Sequence, residues 1–307
     1  MEMAILKNIK GNFLRISLYT IFGIICFFFF FLIKFPFDIF VQNALSTIEK
    51  NYDINISIDE SSYSFPIGVK LTKVNISAGE DNSLEYSIDE VKIKYPLFSF
   101  LFFKKEFAIY ANAFDGSIYG SFESNNEGIY LNISTTKAIN MEKAIPETSK
   151  NGFALIGMTN FKIEGIIVDN DLRTFSGRGK IEISKGAIKN ISPLLKAIPV
   201  EKADLEFESS RNRSAIKNIN IEGNGIRIKG QGTLKTGKTL SDSILKLKLF
   251  GQYDPSTGVG KTISLLGIKG KKNIPIELSG PLTKPTLKIE GKTLWNKKSP
   301  KDRKRKR

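Results

Sequence analysis

Along most of this chain apolar residues recur at every second position. Ile54, Ile56 and Ile58 alternate with Asn55, Ser57 and Asp59, and Val91, Ile93 and Tyr95 alternate with lysines. The period of two returns at Phe107, Ile109 and Ala111, at Ile129, Leu131 and Ile133, and at Phe161, Ile163 and Ile167. It continues through Ile181 and Ile183, Leu205 and Phe207, Ile219 and Ile221, and Ile226 and Ile228. It closes with Leu245, Leu247 and Leu249, then Ile274, Ile276 and Leu278, then Leu287 and Ile289. Successive strand residues point to opposite faces, so this pattern predicts strands with one apolar and one polar face. The intervening Gly, Asn, Asp and Ser turns are short, which predicts a mostly antiparallel meander.

Three stretches depart from that period. "PLFSFLFFKKE" (96–106) is a compact apolar run ending in lysines, read as a helix over one end of the sheet or as a membrane-surface element. "NISPLLKAIP" (190–199) is bounded by Pro193 and Pro199 and predicts a short helix. The polar segment 136–152 predicts a helix or linker, a candidate division between sub-sheets 52–135 and 152–291.

The N-terminal part has another period altogether. Residues 16–33, "ISLYTIFGIICFFFFFLI", hold no charge. As a helix they would reach about 27 Å, close to the hydrocarbon thickness of a bilayer. No small-residue cleavage site follows, so a signal anchor over 16–34 is expected rather than a cleaved signal peptide. Its apolar positions include Ile16, Leu18, Ile21, Phe22, Ile25, Phe28, Phe31 and Ile33. Lys7, Lys10 and Arg15 precede it, which places residues 1–15 in the cytoplasm and the bulk across the membrane. After Pro36, apolar residues at Ile39, Phe40, Ala44, Leu45 and Ile48 predict a juxtamembrane helix within 35–51, packed on the domain or at the interface.

Composition narrows the chemistry. The 307 residues contain no histidine and one cysteine, Cys26. Histidine-based triads, histidine-ligated metals, intrachain disulfides and cysteine clusters are thereby excluded. The formal charge is +15, but the tail from Asn296 to Arg307 holds eight Lys/Arg against one Asp. The body is only mildly basic, so no nucleic-acid surface is expected. The tail, 292–307, is read as disordered, with anionic headgroups or an acidic surface as its fitting partners. Adjacent carboxylates such as Asp59/Glu60 and Asp89/Glu90 sit on polar faces and read as solvated surface.

One stretch matches a nucleotide-binding pattern. "GTLKTGKT" sets Gly232, Gly237, Lys238 and Thr239 at phosphate-loop spacing. Such a loop must follow a buried strand and open a helix. Here the surroundings read strand–turn–strand, so the match is coincidental and no nucleotide is expected. "STGVGKT" (256–262) fails the pattern because Pro255 stands where the first glycine belongs.

The order of these features is more specific than any one of them. An anchor and "FPFD" are followed by "INISIDESSYSFPIGVKLTKVNIS" and "SIDEVKIKYPLFSFLFFKKEFAIYANAFDGSIYGSF". Later come "GAIKNISPLLKAIPVEKADLEFE" and a closing "LSGPLTKPTLKI". This succession resembles the bacterial type II secretion system protein N family in its AsmA-like form, over about 1–291. The resemblance implies an inner-membrane anchor and a periplasmic 52–291 domain. That domain would be mainly β: a long, curved antiparallel sheet forming a groove or flattened barrel, with a few short helices. It implies no catalytic residues, cofactor or metal. It implies other inner-membrane secretion components as partners, and a structural or accessory role in secretion. AsmA-like proteins are similar to bridge-like lipid transfer proteins, so the alternative is a lipid-binding or lipid-transfer module. Its candidate groove comprises Ile54, Ile56, Ile93, Ile109, Leu131, Ile163, Ile183, Phe207, Ile221, Ile228, Leu247, Ile276, Leu278 and Leu287. Physical chemistry asks for the same choice: a long one-sided sheet must cover its apolar face or offer it to something apolar.

Overall fold

The fold was analysed in a computed structural model of the chain. It describes residues 17–23, 26–27, 30, 37–52, 54–65, 67–78, 84–96, 99, 104–144, 154–169, 171–189, 197–237, 243–265, 273–282 and 285–296. The chain is mainly β. Strands β1 (Ile54–Tyr63), β2 (Gly68–Ala78), β3 (Leu84–Lys94), β4 (Lys105–Ala113), β5 (Gly116–Asn125) and β6 (Gly128–Lys137) follow one another as a meander. A two-residue strand, β7 (Ile139–Asn140), precedes β8 (Ala154–Ile167), β9 (Ser176–Lys189) and β10 (Ala197–Ser210). Then come β11 (Arg213–Gly223), β12 (Ile226–Lys235), β13 (Ile244–Tyr253), β14 (Ile274–Pro281), β15 (Thr286–Ile289) and β16 (Lys292–Asn296).

All belong to one antiparallel sheet in which spatial order follows sequence order, with β7 alone set aside against β8. The sheet is open, with β1 and β16 at its two edges, and so is not a barrel. Segment 136–152 does not interrupt it, because β6 pairs directly with β8. Thr136 and Lys137 complete β6 there, and Met141–Ala144 form one short helical turn.

Two further expectations need correction. Ala197, Ile198 and Pro199 are strand residues of β10, not the end of a helix. Pro199 lies opposite Ala187 of β9, and the pairing of β10 with β11 begins only at Lys202. A proline lacking its N–H is tolerated where one flank has no ladder to supply. The remainder of the predicted 190–199 helix lies outside the described residues. The segment 292–296, assigned to a disordered tail, is strand β16, with Trp295 opposite Leu287. Of the 96–106 run, Lys105 and Glu106 open β4 and most of the rest lies outside the described residues.

The helix Phe37–Tyr52 forms and lies on the sheet. Val41 buries against Leu71 and Val74, with Leu45, Ile56, Ile88 and Val91 packed around them. Ile39, an expected apolar position, instead faces outward at 61% exposure. Leu71 and Val74 are three apart, not two, yet share this cluster. Between them Lys73 takes a left-handed φ of 51°, which shifts the alternation by one residue.

Among the described residues no helix is long and apolar enough to cross a membrane. Of the anchor positions, Leu18, Ile21 and Phe22 are helical and exposed, at 65%, 55% and 64%. Ile16, Ile25, Phe28, Phe31 and Ile33 lie outside the described residues.

The polar face is laced with ion pairs. Glu90 of β3 accepts from Lys70 at 2.7 Å and Lys92 at 2.6 Å. Those two ammonium groups hold its carboxyl below the ordinary range. Its folded pKa is therefore depressed. The stability it contributes is whole at neutral pH, begins to fall near the unfolded value of about 4.3, and is lost below the folded pKa. Glu90→Gln should cost about 1 kcal/mol at pH 7, and the cost should shrink as the pH falls from about 4.3 through the folded pKa. Urea midpoints measured over that range check this.

Candidate functional site

The site is the apolar face of the sheet, and pairing register builds it. Residues directly opposite in adjacent strands share a face. From β3 to β8 one cross-strand row reads Ile93, Ile109, Gly120, Ile133, Ile163. It continues through Gly179, Phe207 and Ile216 to Gly232, Leu247, Leu278 and Leu287. The row crosses twelve strands, about 50 Å at the usual strand spacing. The register places twelve of the fourteen candidate groove positions on this one face, and the shift of alternation at Lys73 brings Ile54 and Ile56 onto it as well.

Neighbouring residues in the same strands point the other way. Glu164 of β8 and Arg178 of β9 meet at 3.1 Å on the polar face, beside Lys162 at 2.5 Å. One face is thus wet and charged, the other a continuous hydrocarbon surface.

Among the described residues that surface is covered at both ends and uncovered in the middle. The helix Phe37–Tyr52 covers it over β1–β3. Over β9–β15 a second cluster forms around Ile188, Ile198, Val200, Ala203, Ile226, Tyr253, Ile274 and Leu287. A helix, Gly258–Leu265, adds Val259 and Ile263 to it. Among the described residues neither cluster that a helix completes reaches β4, β5 or β6. There Ile109, Ile133 and Ile163 are only half-buried, and Ile93 is 38% exposed. No large side chain among the described residues falls below 2% exposure.

The fourteen candidates therefore divide. Ile183, Ile221, Ile228, Ile276, Leu278 and Leu287 belong to the covered C-terminal cluster, and Ile56 to the N-terminal one. Leu131 is buried, next to the stacked rings of Phe107 and Phe122, whose centroids are 4.8 Å apart. Ile93, Ile109 and Ile163 form the uncovered part, and Phe207 and Leu247 are half-buried beside Gly179 and Gly232. Ile54 is half-buried at the sheet edge.

Glycines on this face let large side chains lie flat across it. The Phe207 ring occupies the space beside Gly179, and Leu249 and Leu247 fill that beside Gly230 and Gly232. Gly165 and Gly177 face each other across β8 and β9 under the ring of Phe175. A side chain at either would meet backbone atoms of the opposite strand within 3 Å. The alternation of apolar residues does not disclose this role, although each glycine sits in phase with it.

The nucleotide-loop match does not form a phosphate cradle. Gly232 is inside β12, the Gly237 N–H donates to the Ser243 hydroxyl at 3.0 Å, and the chain returns as antiparallel β13. Lys238 and Thr239 lie outside the described residues. The second stretch does open a helix, which the sequence pattern missed because Gly258 and Gly260 are weak helix formers. Its start is capped internally, with the Gly260 N–H donating to Thr257 Oγ1 at 3.0 Å.

The polar face holds an open depression of about 650 Å³ lined by Glu106, Tyr119, Glu123, Tyr130 and Glu164. It presents carboxylates, phenols and the hydroxyls of Ser121 and Ser176. Among the described residues no three His, Cys, Asp or Glu side chains converge to hold a metal. No family model matches the chain, and no curated protein or solved structure matches it.

Proposed function

We propose that this protein binds lipid acyl chains on the uncovered apolar face over β4–β8 and moves them along the sheet. The observation that carries this reading is the row Ile93–Ile109–Gly120–Ile133–Ile163, apolar in every strand and outside both of the clusters that helix residues complete. Such a face exposed to water is unfavourable by about 25 cal/mol per Å², so a chain that leaves it uncovered has a use for it. An acyl chain spans half of a hydrocarbon core, about 15 Å. The uncovered stretch from β3 to β8 spans about 20 Å at the usual strand spacing, room for one such chain laid across the strands. The work is non-catalytic. An N-terminal span over 16–34 would hold the sheet at an inner membrane, and a curved sheet would shelter the bound chains.

A structural role in type II secretion rests on motif order alone, and no feature of the described residues favours it over lipid handling.

Benzophenone photo-crosslinking in the full-length chain tests the proposal in cells. Placed at Ile133, the probe should capture phospholipid. At Asn132, one residue along the same strand on the wet face, it should not. Equal capture at both positions, or none at Ile133, would sink the reading.

A further inference from the structure

The helix Phe37–Tyr52 has a determined direction over the sheet. Near its C-terminal end Glu49 Oε1 accepts the Ile56 N–H of β1 at 2.7 Å. Val41, eight residues earlier and about 12 Å along the axis, packs against Leu71 and Val74. Those residues lie opposite Ser61 and Ile58, further along β1. The helix therefore runs antiparallel to β1, with its N-terminal end toward the β1–β2 turn. The apolar run 16–33 ends three residues before Phe37, so the chain arrives at that same rim.

The rim has the chemistry of a bilayer interface. Phe65, in the β1–β2 turn, is 80% exposed, the most exposed large hydrophobic residue described. The turn is held by the Ser64 N–H donating to the Gly68 carbonyl at 2.9 Å. The end of β3 is tied to it, because the Tyr95 N–H donates to the Ile67 carbonyl at 2.8 Å. Lys105 begins β4 and Lys104 precedes it, both exposed, with the Lys104 carbonyl accepting from the Tyr95 hydroxyl. In sequence, the connection between Pro96 and Lys104 reads LFSFLFF. An exposed aromatic with lysines beside it is the pairing that enters the interfacial layer and meets anionic headgroups.

We infer that this rim, with Phe65 at its tip and Lys104 and Lys105 beside it, seats in the interface of an anionic bilayer. The inference rests on the lipid-handling reading and names where lipid is taken up. Ile93, the first uncovered residue of the apolar row, lies two residues from Tyr95 on that rim. An acyl chain leaving the bilayer beside Phe65 passes only Val69, at the border of the helix-covered cluster, before it meets Ile93 on the open face.

The test uses the full-length chain in vesicles of phosphatidylethanolamine and phosphatidylglycerol with brominated acyl chains. Trp295, the one native tryptophan, is replaced by Phe. A single tryptophan is then introduced by Phe65→Trp or, on the polar face of β13, by Phe250→Trp, where the native ring is 53% exposed. Both sites are exposed enough to accept the larger ring. Brominated lipid should remove most of the emission at position 65 and little at position 250. Quenching at 65 no greater than at 250 overturns the seating, and that is the result expected if a protein partner occupies the rim instead. Lipid capture at Ile133, measured on the same vesicles, separates the two claims. Capture without quenching at 65 rejects the rim and keeps lipid handling. Quenching without capture places the rim at the bilayer and rejects lipid handling as its purpose.

Discussion

Replacing Ile109 and Ile163 together with aspartate should abolish lipid capture while leaving the sheet folded. Both lie in the uncovered part of the apolar row, three strands apart, so the new carboxylates do not face each other. In the lipid-free chain they are only half-buried. A carboxylate there keeps much of its hydration, and the cost to folding is about 1 kcal/mol per site, from lost cross-strand packing. An acyl chain laid over the row behaves differently, because it would have to strip water from both charges. Losing contact with roughly four methylenes at about 0.8 kcal/mol each removes about 3 kcal/mol. That corresponds to a roughly 100-fold loss of capture by the probe at Ile133. The contrast lies in Ile188→Asp. Ile188 is 4% exposed within the covered cluster, and an unpaired carboxylate there should unfold the C-terminal half. If the Ile109/Ile163 variant folds and still captures lipid at the native level, the open face is not the binding surface.

Gly165→Val should be the most destabilising small change in the middle of the sheet, at about 3 kcal/mol. The Cβ it adds would stand 2.4 Å from the Phe175 ring, 2.5 Å from the Ser176 carbonyl oxygen and 2.9 Å from the Gly177 Cα. The ring can turn aside. The backbone of β9 cannot, because its other flank is paired along nearly its whole length with β10. Gly258→Ala is the control. Nothing lies within 4 Å of the added atom, and alanine is the better helix former by roughly 0.5–1 kcal/mol. Urea midpoints should therefore move in opposite directions for the two variants. Equal midpoints for Gly165→Val and the native chain would mean that β8 and β9 approach less closely than described.

What could be read from the sequence follows from period. A repeat of two is a direct consequence of strand geometry, so the positions of the strands and the shared face of Ile93, Ile109 and Ile163 were legible. Coverage was not. Whether an apolar face meets a helix depends on residues far away in sequence, and "GVGKTISL" carries too much glycine to announce the helix that bears Val259 and Ile263. Val41 was hidden for a related reason: several rotations of the helix Phe37–Tyr52 offer apolar residues, and only the docked sheet decides between Val41 and Ile39. The break in alternation at Lys73 was invisible because a left-handed lysine has no sequence signature. Pro199 misled, since a proline marks a strand edge as readily as a helix end. The uptake rim needed the helix direction, which comes from the Glu49–Ile56 contact and from no pattern in the chain.

Because strands that follow one another in the chain also lie side by side in the sheet, the molecule is modular in one dimension. Each hairpin contributes its own rung of hydrocarbon and its own rung of charge, and needs only its immediate neighbours to form. Contacts are local along the sequence, so the sheet can assemble progressively, each strand templating the next. The same property makes reach a matter of copy number: inserting one hairpin in phase lengthens the apolar track by two strand widths and leaves both capped ends unchanged. The length of that track can thus be retuned by duplication, without redesign of any site.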